Sequence, residues 1–399
     1  MKKRVFFAFG LVFFAVSIGF SQEAGNAGSG LSAELQMYFD LYEQARTWGE
    51  KQGVLQSTVE EAPGGAEQLY ASILRSALTA YSSARGAQDL AMADSIIKTV
   101  VEKLGDAKYS AAAADVNRVV TTVRDSVVRS ISMTALGKMQ AKEYLPQIVR
   151  ILQDLNNQPA AQNRQSSEQL AYGAIVALDY YQDEAGYIPV FFAVRGWYDD
   201  WVKTQARQTL AKISAEPWDP LISVIKSSSY TIENKKEALQ AIDESSAENT
   251  KKSEAASASL AQAWLAAPRS SLDRENIKDL RKASMGMLGR YGTEDSSSYD
   301  YLERTYNAGD LDEKRSAIEA LSTMANSQSI AILSRFLQAM NGKLDDNTLT
   351  NSDRAMTQAI ITALGKTRNS EARPALSSVL SHDWTNAIKN LARTNLQNL

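Results

Sequence analysis

The sequence predicts an all-α fold built from repeated helix pairs, and three observations carry that prediction. Apolar residues recur at every third and fourth position, with no sustained alternation of apolar and polar residues. One short signature, Ala-Leu-Gly-Lys or a near equivalent, returns along the chain. Four of the eight prolines follow it at an almost constant distance.

The helical spacing is plain in Leu35, Tyr38, Phe39, Tyr42 and Ala45, and again in Leu69, Ile73, Leu74, Leu78 and Tyr81. Residues 32–125 form an N-terminal helical region with no visible repeat register. Its four expected helices are separated at residues 61–65, at Gly86 and at Gly105-Asp106. From about Ser126 a register begins. Thr134-Ala135-Leu136-Gly137-Lys138 lines up with Val176-Ala177-Leu178-Asp179-Tyr180, with Gln208-Thr209-Leu210-Ala211-Lys212 and with Thr362-Ala363-Leu364-Gly365-Lys366. Pro146, Pro220 and Pro374 come eleven residues after Ala135, Thr209 and Ala363, and Pro189 comes twelve after Ala177.

Each of these prolines is followed by apolar residues two and five places on, which puts it in the first turn of a second helix. There the missing N–H is no loss and the fixed φ already suits the helix. Gly137, Gly289 and Gly365 fall where the first helix should end, and glycine enters a left-handed C′ position without strain. Two more units, anchored at Leu288 and Leu321, keep the apolar pattern without proline. The interval from Leu210 to Leu288 has room for two units, and Ala238-Leu239 with a helix over 254–267 is the candidate inside it.

Helix pairs repeating in this way are the mark of an α-solenoid, in which each pair exposes an apolar face that its neighbour covers. Through Ala-Leu-Gly-Lys closing one helix and proline opening the next, residues 126–399 resemble the HEAT repeats. That resemblance implies a right-handed α-α superhelix, related to the armadillo fold, working as a binding scaffold. Unit lengths are less even than in that family, and residues 156–167 and 341–352 read as insertions. Tetratricopeptide repeats are the nearest rival, but their Trp-X-X-Leu-Gly-X-X-Tyr signature is missing.

The N-terminus opens with Lys2, Lys3 and Arg4 and continues into an uncharged apolar stretch from Val5 to Ile18. It reads as a secretory signal peptide over 1–21, cleaved after Ser21, followed by a Gly-rich linker over 22–31. A retained anchor is the alternative, yet the stretch falls short of the ~20 residues a spanning helix needs. Export to a bacterial periplasm is the expected localisation, with no membrane contact after cleavage. The chain has 43 basic and 46 acidic side chains, and losing the leader removes three basic groups and no acid. With no Lys/Arg run, a nucleic-acid partner is not expected.

The residues offer little chemistry. There is no cysteine and one histidine, His382, expected in a loop with Asp383 as a helix N-cap. No metal site, cofactor or catalytic residue is expected: zinc lacks ligands, phosphate loops are missing, and the acids from Asp345 to Asp353 lack the glycine and glutamate of an EF-hand. The most distinctive composition is Arg195, Trp197, Tyr198, Asp199, Asp200 and Trp201, where one unit joins the next. Large aromatics beside acids suit an anchor for a partner protein. The competing reading is that Trp197 and Trp201, four apart at a helix start, fill the groove between units. The expected function is therefore a non-catalytic scaffold for protein–protein interaction in the cell envelope. A structural subunit of an envelope or appendage assembly is the alternative, and a carboxylate-based glycan-active enzyme is a more distant one.

Overall fold

The structure is a computed structural model and describes residues 31–61, 65–158, 164–214 and 216–399. The leader expected at 1–21 and nearly all of the linker lie outside the described residues. Among the described residues all regular structure is helical, with twenty α-helices, five short 3₁₀ turns and no strand. None of these helices is long and apolar enough to cross a membrane. The chain divides into two compact units, residues 1–100 and 101–399.

The first unit holds α1 (Ala33–Gln44), α2 (Trp48–Glu61), α3 (Glu67–Ala80) and most of α4 (Gly86–Asp106). Its core comprises Leu35, Tyr42, Leu55, Leu69, Ile73 and Leu74, with Ile96 and Ile97 from α4. Where the apolar spacing predicts four helices over 32–125 there are five, because the first predicted helix is broken between Gln44 and Trp48. Thr47 and Glu50 explain the break. Glu50 Oε2 accepts from the N–H groups of Arg46 (2.7 Å) and Thr47 (3.1 Å), and the Glu50 N–H donates to Thr47 Oγ1 at 3.2 Å. This reciprocal capping box starts a new helix inside an otherwise continuous apolar pattern.

The second unit continues with α5 (Ala113–Thr122), then pairs α6 (Ser126–Lys138) with α7 (Leu145–Asn156), and α8 (Arg164–Tyr181) with α9 (Tyr187–Arg195). Next come α10 (Asp200–Ile213) with α11 (Trp218–Lys226), and α12 (Ile232–Glu244) with α13 (Asn249–Leu265). The chain ends with α14 (Ser271–Tyr291) and α15 (Ser296–Ala308), α16 (Leu311–Met324) and α17 (Ser327–Asp345), α18 (Asn351–Lys366) and α19 (Arg373–Ser381), and a last helix α20 (Asn386–Gln397). Packing follows chain order. First helices pack on first helices, α6 on α8 and α8 on α10, and further on α12 on α14, α14 on α16, α16 on α18 and α18 on α20. Second helices do the same, α7 on α9, α9 on α11, α11 on α13 and α13 on α15, and each also meets the first helix that follows it.

Pro146, Pro189, Pro220 and Pro374 all lie in the first turns of α7, α9, α11 and α19. The long interval holds one pair, α12 and α13, between the units anchored at Leu210 and Leu288. Of residues 341–352, α17 takes in 341–345 and α18 begins at Asn351, so that the link between them is 346–350; buried Asn341 accepts from Trp384 Nε1 at 2.7 Å. The N-cap of α20 is Thr385, so Asp383 does not cap it.

The glycines need a different explanation from the one the sequence suggested. Gly137, Gly289 and Gly365 lie within the last turns of α6, α14 and α18, and are not in the left-handed region. That region is occupied by the residue four places after the anchor leucine, which is Gln140, Gln182, Gly292, Ala325 or Arg368, and also Lys108 after Leu104. The turn is closed by bonds such as Tyr109 N to Leu104 O (3.0 Å) and Ala141 N to Leu136 O (3.2 Å), the 6→1 bonds of a Schellman motif. The same turn thus closes α4, where Ala114 stands in the place proline takes in α7. The glycines serve packing. A Cβ on Gly137 would sit 2.8 Å from both Cα and O of Ala177, and one on Gly173 would sit 2.5 Å from Cα of Ser130. One on Gly105 would sit 2.8 Å from Cβ of Ala135.

Two measurements check this account. Gly137→Ala should lower stability by about 1–3 kcal/mol through overpacking, whereas Gly286→Ala, whose Cβ would meet nothing closer than Arg290 Nη1 at 3.9 Å, should raise it by about 0.5–1 kcal/mol through helix propensity. Equal effects of the two in urea melts would contradict the packing role. Lys108→Gly should add on the order of 0.5–1 kcal/mol, by relieving a non-glycine residue held at φ 53°.

Candidate interaction site

The six residues singled out by composition span the junction from α9 to α10. Helix α9 ends at Arg195, Gly196 turns the chain into extended backbone, and Asp199 is the N-cap of α10. Trp197 therefore precedes the helix, so Trp197 and Trp201 do not share one helix start. Tyr198 belongs to the core: it is 2% exposed, and its hydroxyl donates to Asn156 Oδ1 at 2.9 Å. Asn156 Nδ2 donates in turn to Pro189 O at 2.8 Å. Burial, reinforced by the negative charge of Glu168, pushes the Tyr198 hydroxyl well above the usual phenol range. The Trp197 ring lies 4.3 Å from that of Tyr198 and is half-buried, and its Nε1 has no hydrogen-bond partner.

Two residues the sequence reading did not single out hold the junction in place. Buried Glu168 accepts at Oε1 from Arg164 Nε (3.0 Å) and from the Asp199 N–H (3.0 Å). Arg164 also pairs with the Asp199 carboxylate and donates to Trp197 O at 3.3 Å. Asp199 is thus an exposed member of an ion-pair network. The only advance sign of this network was the i,i+4 spacing of Arg164 and Glu168. Asp200 and Trp201 remain at the surface, Trp201 44% exposed with its ring 4.9 Å from that of Tyr172.

Arg195 goes elsewhere. With Gly196 it lines a cleft of about 340 Å³ formed by the end of α7, by α9 and by the loop into α12, which none of the other five residues lines. Gln153, Asp154, Asn157, Phe192, Tyr230 and Glu237 are also in its wall. Phe192 and Tyr230 are neighbours, 5.7 Å between ring centroids. Burial raises the Glu237 carboxyl above the ordinary carboxylate range, Arg195 pulls it down and Glu233 pushes it up. These residues come from distant parts of the chain, and nothing local in the sequence marks them as a group.

A larger cavity of about 550 Å³ lies between α13 and the Tyr291–Asp295 segment. Its hydroxyls already have partners: Ser253 Oγ donates to Gly292 O (2.6 Å), and Ser257 Oγ accepts from Ser298 Oγ (2.7 Å). Its rim charges Lys226 and Glu254 pair at 2.7 Å. The smaller cleft leaves more polar capacity open to a ligand. The acids around residue 345 do not converge, since Asp345 meets His382 Nδ1 at 3.0 Å and Asp353 pairs with Lys343 at 2.8 Å.

Tyr198→Phe should lower stability by about 0.5–1.5 kcal/mol, the worth of one buried hydrogen bond. Trp201→Ala should change the melting temperature little, because much of its ring is already in water. A large loss of stability in Trp201→Ala would place it in the core.

No family model matches this sequence, and no curated protein is significantly similar to it.

Proposed function

We propose that this chain is an exported, non-catalytic helical-repeat scaffold, a HEAT-like α-solenoid that holds another protein in the periplasm. The observation that carries this reading is the order of packing in residues 101–399, where first helices stack on first helices and second helices on second helices. In such arrays each unit covers its neighbour's apolar face, and long surfaces form without one central core. Trp201, Asp199 and Asp200 supply an exposed aromatic with flanking charge, of the kind that anchors partners.

The test is a quantitative pull-down from envelope extract with wild type and with the double variant Asp200→Ala, Trp201→Ala. A soluble partner should be enriched by wild type and its recovery should fall several-fold in the variant, at unchanged melting temperature. Co-sedimentation with a large insoluble assembly would favour a structural subunit instead. The exported form should have an intact mass beginning at Gln22.

One observation favours a second reading, a carboxylate-based glycan-active enzyme. Glu237, which burial favours in its protonated form, and exposed Asp154 line the same cleft, and two carboxyls in one cleft are what glycoside hydrolysis needs. Release of nitrophenol from chromogenic glycosides, lost in both Glu237→Gln and Asp154→Asn, would establish it.

A further inference from the structure

Besides exposed Asp154, which pairs with Arg150 at 3.8 Å, the cleft beside α9 contains two charges of opposite sign that are not used against each other. Arg195 and Glu237 both line it, and both are half-buried. Arg195 acts on Glu237 through space, yet neither side chain forms an ion pair or a hydrogen bond with the other or with any described residue. The Arg195 guanidinium lies over the face of Phe191, 5.2 Å from the ring centroid. Elsewhere in this unit buried carboxylates are matched, Glu168 by Arg164 (3.0 Å) and Glu313 by Arg281 (2.8 Å).

A partly desolvated charge without a partner is unfavourable. Two of opposite sign across an open volume are complementary to a ligand that carries both signs at a separation. The rest of the wall narrows the choice. Gln153 and Asn157 present amides, each able to donate and to accept, which suits a peptide group lying between the charges. Phe192 and Tyr230 form an adjacent aromatic pair against which an apolar side chain can lie. The volume, about 340 Å³, falls at the lower end of small-molecule sites.

We propose that this cleft binds a short zwitterionic peptide of dipeptide size. The α-ammonium lies on Glu237, the carboxylate on Arg195, and one side chain against Phe192 and Tyr230. A neutral sugar would leave both charges unmatched and is the weaker fit. The proposal does not depend on the scaffold reading, since a protein partner held at Trp201 and a small ligand held beside α9 use different residues.

Isothermal titration of the full chain with a panel of alanyl dipeptides (Ala-Phe, Ala-Leu, Ala-Lys and Ala-Ala) tests it, with N-acetyl and C-amide forms of the best binder and maltose as the neutral sugar. Saturable binding is expected from the free dipeptides. Acetylation and amidation should each weaken it about tenfold or more, since each removes one charge-assisted contact. Glu237→Gln should abolish discrimination against the acetylated form, and Arg195→Gln discrimination against the amide. Three results would overturn the proposal: no binding by any member of the panel, binding indifferent to both terminal charges, or binding of maltose in place of the dipeptides. The ligand-side changes are made on wild type, so the outcome stands even if a variant fails to fold.

Discussion

The close approach of successive first helices is the constraint on which residues 101–399 depend. At Gly105 and Ala135 and at Gly137 and Ala177, backbones or Cβ atoms come so near that no larger side chain fits without a shift, and at Gly289 and Ala320 the approach is nearly as tight, 3.3 Å from an added Cβ to Cα. Gly173 lies against Ser130, and Gly365 against Asn395, in the same way. A helix with a glycine in its last turns gives up about 1 kcal/mol of intrinsic propensity. Close contact along two helices returns dispersion energy from many atom pairs at once. The balance favours small residues only where a neighbour is present, so these positions encode the stacking and not the helix.

Close stacking also brings helix ends within reach of the next unit, and polar side chains use the opportunity. The last carbonyls of a helix have no partner of their own. Gln140 Nε2 donates to Tyr180 O in the last turn of α8 at 2.5 Å, Tyr181 OH to Ala141 O in the link after α6 at 2.9 Å, and Ser322 Oγ to Ala363 O, which also accepts from the Thr367 N–H, at 2.9 Å, each crossing from one unit to its neighbour. The lysine that closes the recurring signature has a matching task. Lys138 pairs with Asp106 and Lys212 with Asp179, both at 2.7 Å. Such exposed pairs contribute at most about 1 kcal/mol each, so they orient the stack more than they stabilise it.

The junction from α9 to α10 shows how stacking sorts one short run of sequence into different environments. Tyr198 is drawn inward to Asn156, Asp199 is bound by Arg164, Trp201 stays outside, and Arg195 faces a cleft whose other walls come from α7 and α12. Composition alone treats these residues as one patch. Burial separates them, because the extended link from Gly196 to Asp199 must fit between units whose spacing is already set by the first helices.

The sequence by itself determined the helical class, the positions of most helices and the four proline-led second helices. These follow from local periodicity and from the fixed φ of proline, which act over a few residues. It also contained the Thr47-X-X-Glu50 cap that splits the first predicted helix, a local signal that apolar spacing alone conceals. The tertiary structure alone settles why the signature glycines are there, that Gln140, Gln182 and Arg368 take the left-handed turn, and that Arg195 and Glu237 line one cleft while Tyr198 is buried. Those outcomes depend on which backbone arrives from the neighbouring unit and how near it comes, a distance that no local pattern in the chain records.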